Sequence, residues 1–341
     1  MSQHEVDACA IDIKEWNRML RPYSTPDVKH SVLQLITTLG LLLASFVAMF
    51  AVEAWLGYWA ALGFAVPAGL FVVRTFIIQH DCGHYSFFRT RGACDTVGRI
   101  LGVLTLTPYY WWKRDHDWHH ATSGDLSRRG YGDIDTLTVR EYRALPRWKR
   151  GLYRAYRHPL VLFLVGPLWQ FLVRHRLPLH VRGADRKAIL SIIATNLALA
   201  GFVLLCGWAL GFGRFFSLWL PVMGVAGACG VWMFFVQHQF ETTYWAGEKD
   251  WSFVTAALKG CSYYKLPSAL EWLTGWIGYH HIHHLASKVP NYRLKDCFSN
   301  IAALRQARTV TFRESLACSR LALWCEEQQR LLSFKDAKLA A

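Results

Sequence analysis

Four long apolar runs constrain this chain more than any other feature. They cover about 31–51, 55–79, 188–210 and 214–237. Each approaches or exceeds the roughly 20 apolar residues needed to cross a bilayer as a helix. In lipid the backbone must satisfy its own hydrogen bonds, and a helix does so within one segment. The runs therefore predict an all-α integral membrane protein with four transmembrane helices. Two shorter apolar runs, about 96–112 and 159–173, read as interfacial or re-entrant pieces.

Charge orients these spans. The net charge is +14, and Lys and Arg crowd three segments: 1–30, 80–187 and the stretch after 238. The turns between spans 1 and 2 and between spans 3 and 4 are nearly free of them, Arg214 excepted. Basic residues beside apolar spans are topology signals, which sets aside nucleic acid as a partner. The positive-inside rule then gives two helical hairpins with both termini in the cytoplasm. Some of the basic charge should meet anionic headgroups. The organisation expected is a cytosolic N-terminal segment 1–30, a membrane domain 31–300 and a cytosolic helical tail 301–341. Residues 1–30 carry Glu5, Asp7, Asp12 and Glu15 and no apolar core, so they do not read as a secretory signal. The nine cysteines are scattered without a C-x-x-C pair, which suits a reducing face.

The 15 histidines are unevenly placed. His80 and His84 form HxxxH directly after the second apolar run. His116, His119 and His120 form HxxHH in the middle segment. His280, His283 and His284 form a second HxxHH beyond the fourth run. On a helix, residues i, i+3 and i+4 share a face, so the members of each box can converge. Eight imidazoles suffice for two ions with four ligands each, and neutral imidazole suits iron, copper, nickel and zinc. A structural zinc site needs only about four ligands. The pattern therefore predicts a dinuclear site under a cytosolic cap. His238, just past the fourth run, is a ninth candidate ligand. His281 fits the pattern less well and reads as facing away or supporting a ligand. His4, His30, His158, His175 and His180 read as surface or interfacial. Metal-bound histidine usually gives its second N–H to a carboxylate or carbonyl. Asp81 and Asp117, adjacent to boxes, are the leading candidates, with Asp115, Asp125 and Glu241 behind them. Arg74, inside the second run, reads as snorkelling to a phosphate or carboxylate.

Taken together, these motifs resemble the membrane fatty-acid desaturases, bacterial acyl-lipid type, delta-12/omega-6. The resemblance rests on His80-Asp81-Cys82-Gly83-His84-Tyr85-Ser86-Phe87-Phe88, on Val236-Gln237-His238-Gln239-Phe240-Glu241 followed by Tyr244-Trp245, and on Ser262-Tyr263-Tyr264-Lys265-Leu266-Pro267. It continues through Gly278-Tyr279-His280-His281-Ile282-His283-His284-Leu285 and Pro290-Asn291-Tyr292, and it spans about 30–300. One departure is Trp276, where relatives commonly carry Asn. The resemblance implies two iron ions held by the eight box histidines and His238, with O2 as co-substrate. It also implies a bacterial inner-membrane location with the active site on the cytosolic side.

An unactivated methylene offers no acidic proton, so a redox metal is required rather than a general base. The substrate expected is the acyl chain of a membrane lipid. The aromatics Tyr109, Tyr110, Trp111, Trp112, Trp118, Trp272 and Trp276 are candidates to line its path. No haem-binding or ferredoxin-type motif is fused to the chain. A separate electron donor, ferredoxin or cytochrome b5-like, should dock on the basic face. Hydroxylase, acetylenase or epoxygenase chemistry on the same scaffold stays open. A metal transporter is the alternative of another class, although its ligands should lie mid-span.

Overall fold

The computed structural model describes residues 7–178 and 185–339. Among the described residues four helices are long and apolar enough to cross a membrane: Val28–Leu56, Tyr58–Gly83, Arg186–Leu210 and Phe212–His238. They are spans 1 to 4. Asp27 caps span 1 by accepting from the Lys29 and His30 amides at 3.0 and 3.2 Å. Asp185 caps span 3 in the same way. Each hairpin turns on a single glycine, Gly57 at φ 84° and Gly211 at φ 83°, values that favour a residue without Cβ. At that end Arg214 pairs with Glu53 at 2.6 Å, so the one basic exception in those turns is neutralised.

Span 2 packs along both span 1 and span 4. Spans 2 and 4 are the more buried pair, while spans 1 and 3 leave most of their surface exposed. The two spans that end in candidate ligands, His80 and His238, therefore form the inner part of the bundle. Arg74 does not snorkel. It is buried, donates from Nε to Thr38 Oγ1 at 3.1 Å and from Nη1 to the Trp272 carbonyl, and lies over the Trp272 ring at 4.3 Å. The charge is satisfied within the protein, by a neighbouring span and by the cap, which is the other way to carry a cation in a span.

The cap covers one end of the bundle with short helices, among them Arg91–Leu104, Tyr109–Thr122, Arg147–Tyr156 and His280–Leu285. The 159–173 run forms a continuous helical segment against span 4. The tail differs from expectation. Instead of a solvated helix it contains a hairpin, Leu321–Cys325 with Arg330–Ser333, whose first strand also pairs in parallel with Leu137–Thr138. Thr309–Thr311 pairs in parallel with Tyr263–Lys265. Ala322, Leu323, Trp324, Leu331 and Leu332 are buried. That burial against the cap overrides the mixed local charge of the tail. All nine cysteines are free thiols.

Candidate metal centre

The boxes sit where spans 2 and 4 meet the cap. His80 and His84 lie in and just beyond the last turn of span 2, and His238 ends span 4. The second box rides on Tyr109–Thr122 and the third on His280–Leu285. These elements bring nine imidazoles together in two groups. His80, His84, His116, His120 and His283 form one, and His119, His238, His280 and His284 form the other. Within each group the ligand atoms all lie within 4.8 Å of one another.

The expectation that each HxxHH box converges on one ion is therefore corrected. The i, i+4 members of a box stay together: 80 with 84, 116 with 120, and 280 with 284. The i+3 member crosses over, His119 to the second group and His283 to the first. Three and four residues along an α-helix turn the side chain about 60° short of and 40° past a full revolution. One helix between two sites can thus serve both.

Several observations fit a cation in each group. His238 Nε2 lies 3.1 Å from His119 Nε2 and 3.0 Å from His280 Nε2. His120 Nε2 lies 3.1 Å from His116 Nε2 and 3.0 Å from His283 Nε2. A ring nitrogen offers one proton or one lone pair, so it can satisfy only one such neighbour. A shared cation satisfies all three lone pairs. His84 Nε2 and His284 Nε2 are also buried with no hydrogen-bond partner. Burial, with the neighbouring rings adding to it, holds His84, His116, His120, His280, His283 and His284 well below the usual histidine range. That favours the neutral ring, which is the form able to ligate a metal.

The outer support of the two groups differs. His80 Nδ1 lies 3.1 Å from Asp81 Oδ1. The other Asp81 oxygen accepts from Asn291 N and Nδ2 at 2.7 and 2.8 Å, and Asn291 Oδ1 accepts from Gln34 at 2.9 Å. In the second group His119 Nδ1 meets Asp133 Oδ1. Asp133 was missed by sequence reasoning because it lies 14 residues from its histidine across a loop. Asp117, expected to support the second box, does not. It is half exposed and pairs with Lys113 at 2.6 Å. One residue from His116, it projects about 100° away from the box face. Asp115 pairs with Arg114, Asp125 with Arg128, and Glu241 with Arg330.

His281 faces away from both groups and is fully buried near Phe298; burial pushes its imidazole down to about 4. His30 stacks on Tyr292, and His158 is exposed. His175 is not a surface residue. It is buried, with Nδ1 3.0 Å from the Leu106 carbonyl and Nε2 2.8 Å from Gln170 Nε2. His4 and His180 lie outside the described residues. Of the seven aromatics proposed to line an acyl path, Trp112 stacks on His116 at 4.6 Å and reaches His80 at 5.8 Å. Trp272 and Trp276 instead flank Arg74. Trp276 stands at φ 54°, a left-handed conformation that Asn tolerates better than most residues.

Comparison with known proteins agrees with this geometry. The family model described as Fatty acid desaturase matches residues 53–315. A Bacillus subtilis protein named "Fatty acid desaturase" is 39% identical over 329 residues, covering 95% of this chain and 92% of that protein. The Synechocystis "sn-1 oleoyl-lipid 12-desaturase" is 27% identical, covering 67% of this chain and 64% of that protein. The Synechocystis "sn-1 acyl-lipid omega-3 desaturase (ferredoxin)" is also 27% identical, covering 79% and 74%.

Proposed function

The chain belongs to the fatty acid desaturase family, and from that premise we propose that it desaturates a long, lipid-linked acyl chain, of the delta-12/omega-6 type, at a histidine-held di-iron centre. The observation that carries the reading is the pair of buried imidazole groups at the ends of the two inner spans. On this reading His80, His84, His116, His120 and His283 hold one iron, and His119, His238, His280 and His284 hold the other. When bound, the irons supply the oxygen chemistry that removes two hydrogens from an unactivated methylene pair, with O2 reduced to water and two electrons drawn from a donor.

The chain's own residues position that chemistry. Asp81 and Asp133 fix the orientation of His80 and His119. The closely packed cap and inner spans keep water from the imidazoles, all but a few of which are buried. The acyl-lipid substrate is supported by the named specificity of the 12-desaturase relative, and a separate ferredoxin-like donor by the ferredoxin named for the omega-3 relative. The charge asymmetry supports a site on the cytosolic side, and the Bacillus subtilis relative supports a bacterial inner membrane.

Expression in a host lacking polyunsaturated lipids, followed by gas chromatography–mass spectrometry, tests the reaction. A new double bond in oleoyl chains is expected. A hydroxy, epoxy or acetylenic product would favour the alternative outcome on this scaffold, and an unchanged profile from iron-loaded enzyme with a donor would overturn the proposal. Conversion of labelled oleoyl-CoA with intact labelled phospholipid untouched would overturn the acyl-lipid part alone.

A further inference from the structure

A cavity of about 500 Å³ opens in the cap beside helix Arg147–Tyr156, and no histidine lines it. Its wall is divided by chemistry. Arg143, Arg147, Arg150, Arg154 and Lys338 supply positive charge, while Leu323 and Phe334 supply apolar surface. Among the described residues no acidic side chain lines it. The contacts these cations make inside the protein are with neutral groups. Arg143 donates to the Ala337 carbonyl at 2.7 Å. Arg154 donates to the Tyr142 hydroxyl at 2.6 Å and lies 5.0 Å from the Phe334 ring centroid. Five like charges around one cavity repel one another, and an anion relieves that repulsion.

The surroundings identify the kind of anion. Trp148 and Leu152, one helical turn apart on the same helix, are 64% and 62% exposed. The chain then runs directly into Leu160, Leu164 and Leu168, which are also exposed. This second segment packs on span 4 as deep as Gly227, where an added Cβ would come within 2.9 Å of Pro167 Cβ. Gly227 precedes His238 by eleven residues, which is roughly 16 Å along the span axis. Leu164 and Leu168, beside that contact, therefore lie at hydrocarbon depth, and Leu160 lies nearer the end of the span. Helix Arg147–Tyr156, which leads into them, has the Trp, Leu and Arg/Lys make-up of a helix at the headgroup level. A basic cavity with an apolar wall at that level suits an amphiphilic anion rather than a soluble one.

We propose that this cavity binds one anionic phospholipid, its phosphate between Arg147, Arg150, Arg154 and Lys338 and its glycerol end against Leu323 and Phe334. The site stands apart from the desaturase chemistry but is braced to it. Arg157, at the end of the same helix, donates to Gln239 Oε1 at 2.9 Å, one residue from His238. Tyr153 donates to the Ala322 carbonyl of the tail hairpin at 2.7 Å. A lipid seated here clamps the helix that ties the tail to the end of span 4.

The test compares purified full-length protein with the Arg147→Gln/Arg150→Gln variant, by native mass spectrometry and by thermal melting. After delipidation, phosphatidylglycerol should return as one tight adduct and raise Tm, and phosphatidylcholine should not. Loss of two charges at about 1 kcal/mol each predicts about 30-fold weaker phosphatidylglycerol binding in the variant, with iron content unchanged. A Lys249→Gln/Lys295→Gln control, which removes exposed cations elsewhere, should bind like the parent. Equal binding of phosphatidylglycerol by the Arg147/Arg150 variant, or an equal Tm rise with phosphatidylcholine or inorganic phosphate, would overturn the proposal. A variant that keeps the lipid but loses reduction by an acidic donor protein would also overturn it, and would mark the surface as a protein-docking face.

Discussion

The two imidazole groups share the second and third boxes, yet they are not equivalent. The first gathers five rings, and both histidines of the first box belong to it. The second gathers four, and one of them, His238, comes from outside any box. Without His238 the second group would hold three rings, and the box histidines alone would divide unevenly. The outer supports differ as well. Asp81 is anchored through Asn291 to span 1, whereas Asp133 rises from the loop that follows the second box. The comparison teaches that the first group is over-determined and tied to the membrane bundle. The second joins one ring from span 4 to three rings of the cap and has a loop carboxylate as its support.

The largest expected effect follows from that count. His238→Ala should abolish product and lower iron from about two to about one per chain, because three imidazoles hold a metal less well than four. His84→Ala should also abolish product, yet it leaves four rings in its group and should retain more iron. Metal analysis of the two membrane-inserted variants checks the order. If His84→Ala lost more iron than His238→Ala, the unequal division would be broken.

The next effect compares the supporting carboxylates. Asp133→Asn and Asp81→Asn should each weaken metal retention or activity about 10- to 100-fold, the range typical of groups that orient a ligand. Asp81→Asn should in addition lower the melting temperature, because Asn291 gives two hydrogen bonds to that carboxylate. Chelator-challenge kinetics and a melting curve separate the two variants. Equal melting temperatures would show that the Asn291 link adds no stability.

The difference in legibility between the groups has the same origin. HxxxH and HxxHH are written in consecutive turns of helix, so spacing alone exposes eight of the nine rings. The spans were legible because a run of apolar side chains has few other uses. Which ion each ring faces was not legible, since it depends on where each helix lies between the two groups. Asp133 was hidden because its approach to His119 passes through a loop with Gly130 and Gly132 at positive φ. Arg74 was misread because a span residue can meet the cap as well as the headgroups. The tail was misread because its strands are defined by partners at 137–138 and by burial, neither of which local periodicity records.

A third, smaller effect uses His281, which lies beside the ligands in sequence and apart from them in space. Burial lowers its folded-state value to about 4 from the usual 6.5. Between these values the unfolded chain binds a proton that the folded chain refuses. Stability should therefore fall as pH drops from about 6.5 to about 4, by up to roughly 3 kcal/mol, and level off below. Above pH 7 the group contributes no pH dependence. His281→Gln should make that part of the melting-temperature profile shallower, the box imidazoles carrying the rest of the slope, while leaving iron bound at pH 7.5. An unchanged slope would show that another buried group, such as His175, carries it.

The smallest effect tests the residue that the sequence placed wrongly. Asp117 adjoins His116, and its carboxylate would be close enough to support the box if only sequence distance mattered. Its side chain is 49% exposed and bonded to Lys113, itself on the same helix four residues earlier. An exposed i, i+4 ion pair of this kind contributes about 0.3–0.5 kcal/mol, and salt reduces it further. Asp117→Asn should therefore shift stability by no more than about 0.5 kcal/mol, leave both irons bound and leave the product yield unchanged. Asp133→Asn, in the same assay, should be the damaging substitution. If the two variants lost iron equally, His119 would not be held by Asp133 in the way the geometry requires, and the contrast between a tightly anchored first group and a singly supported second group would fail with it.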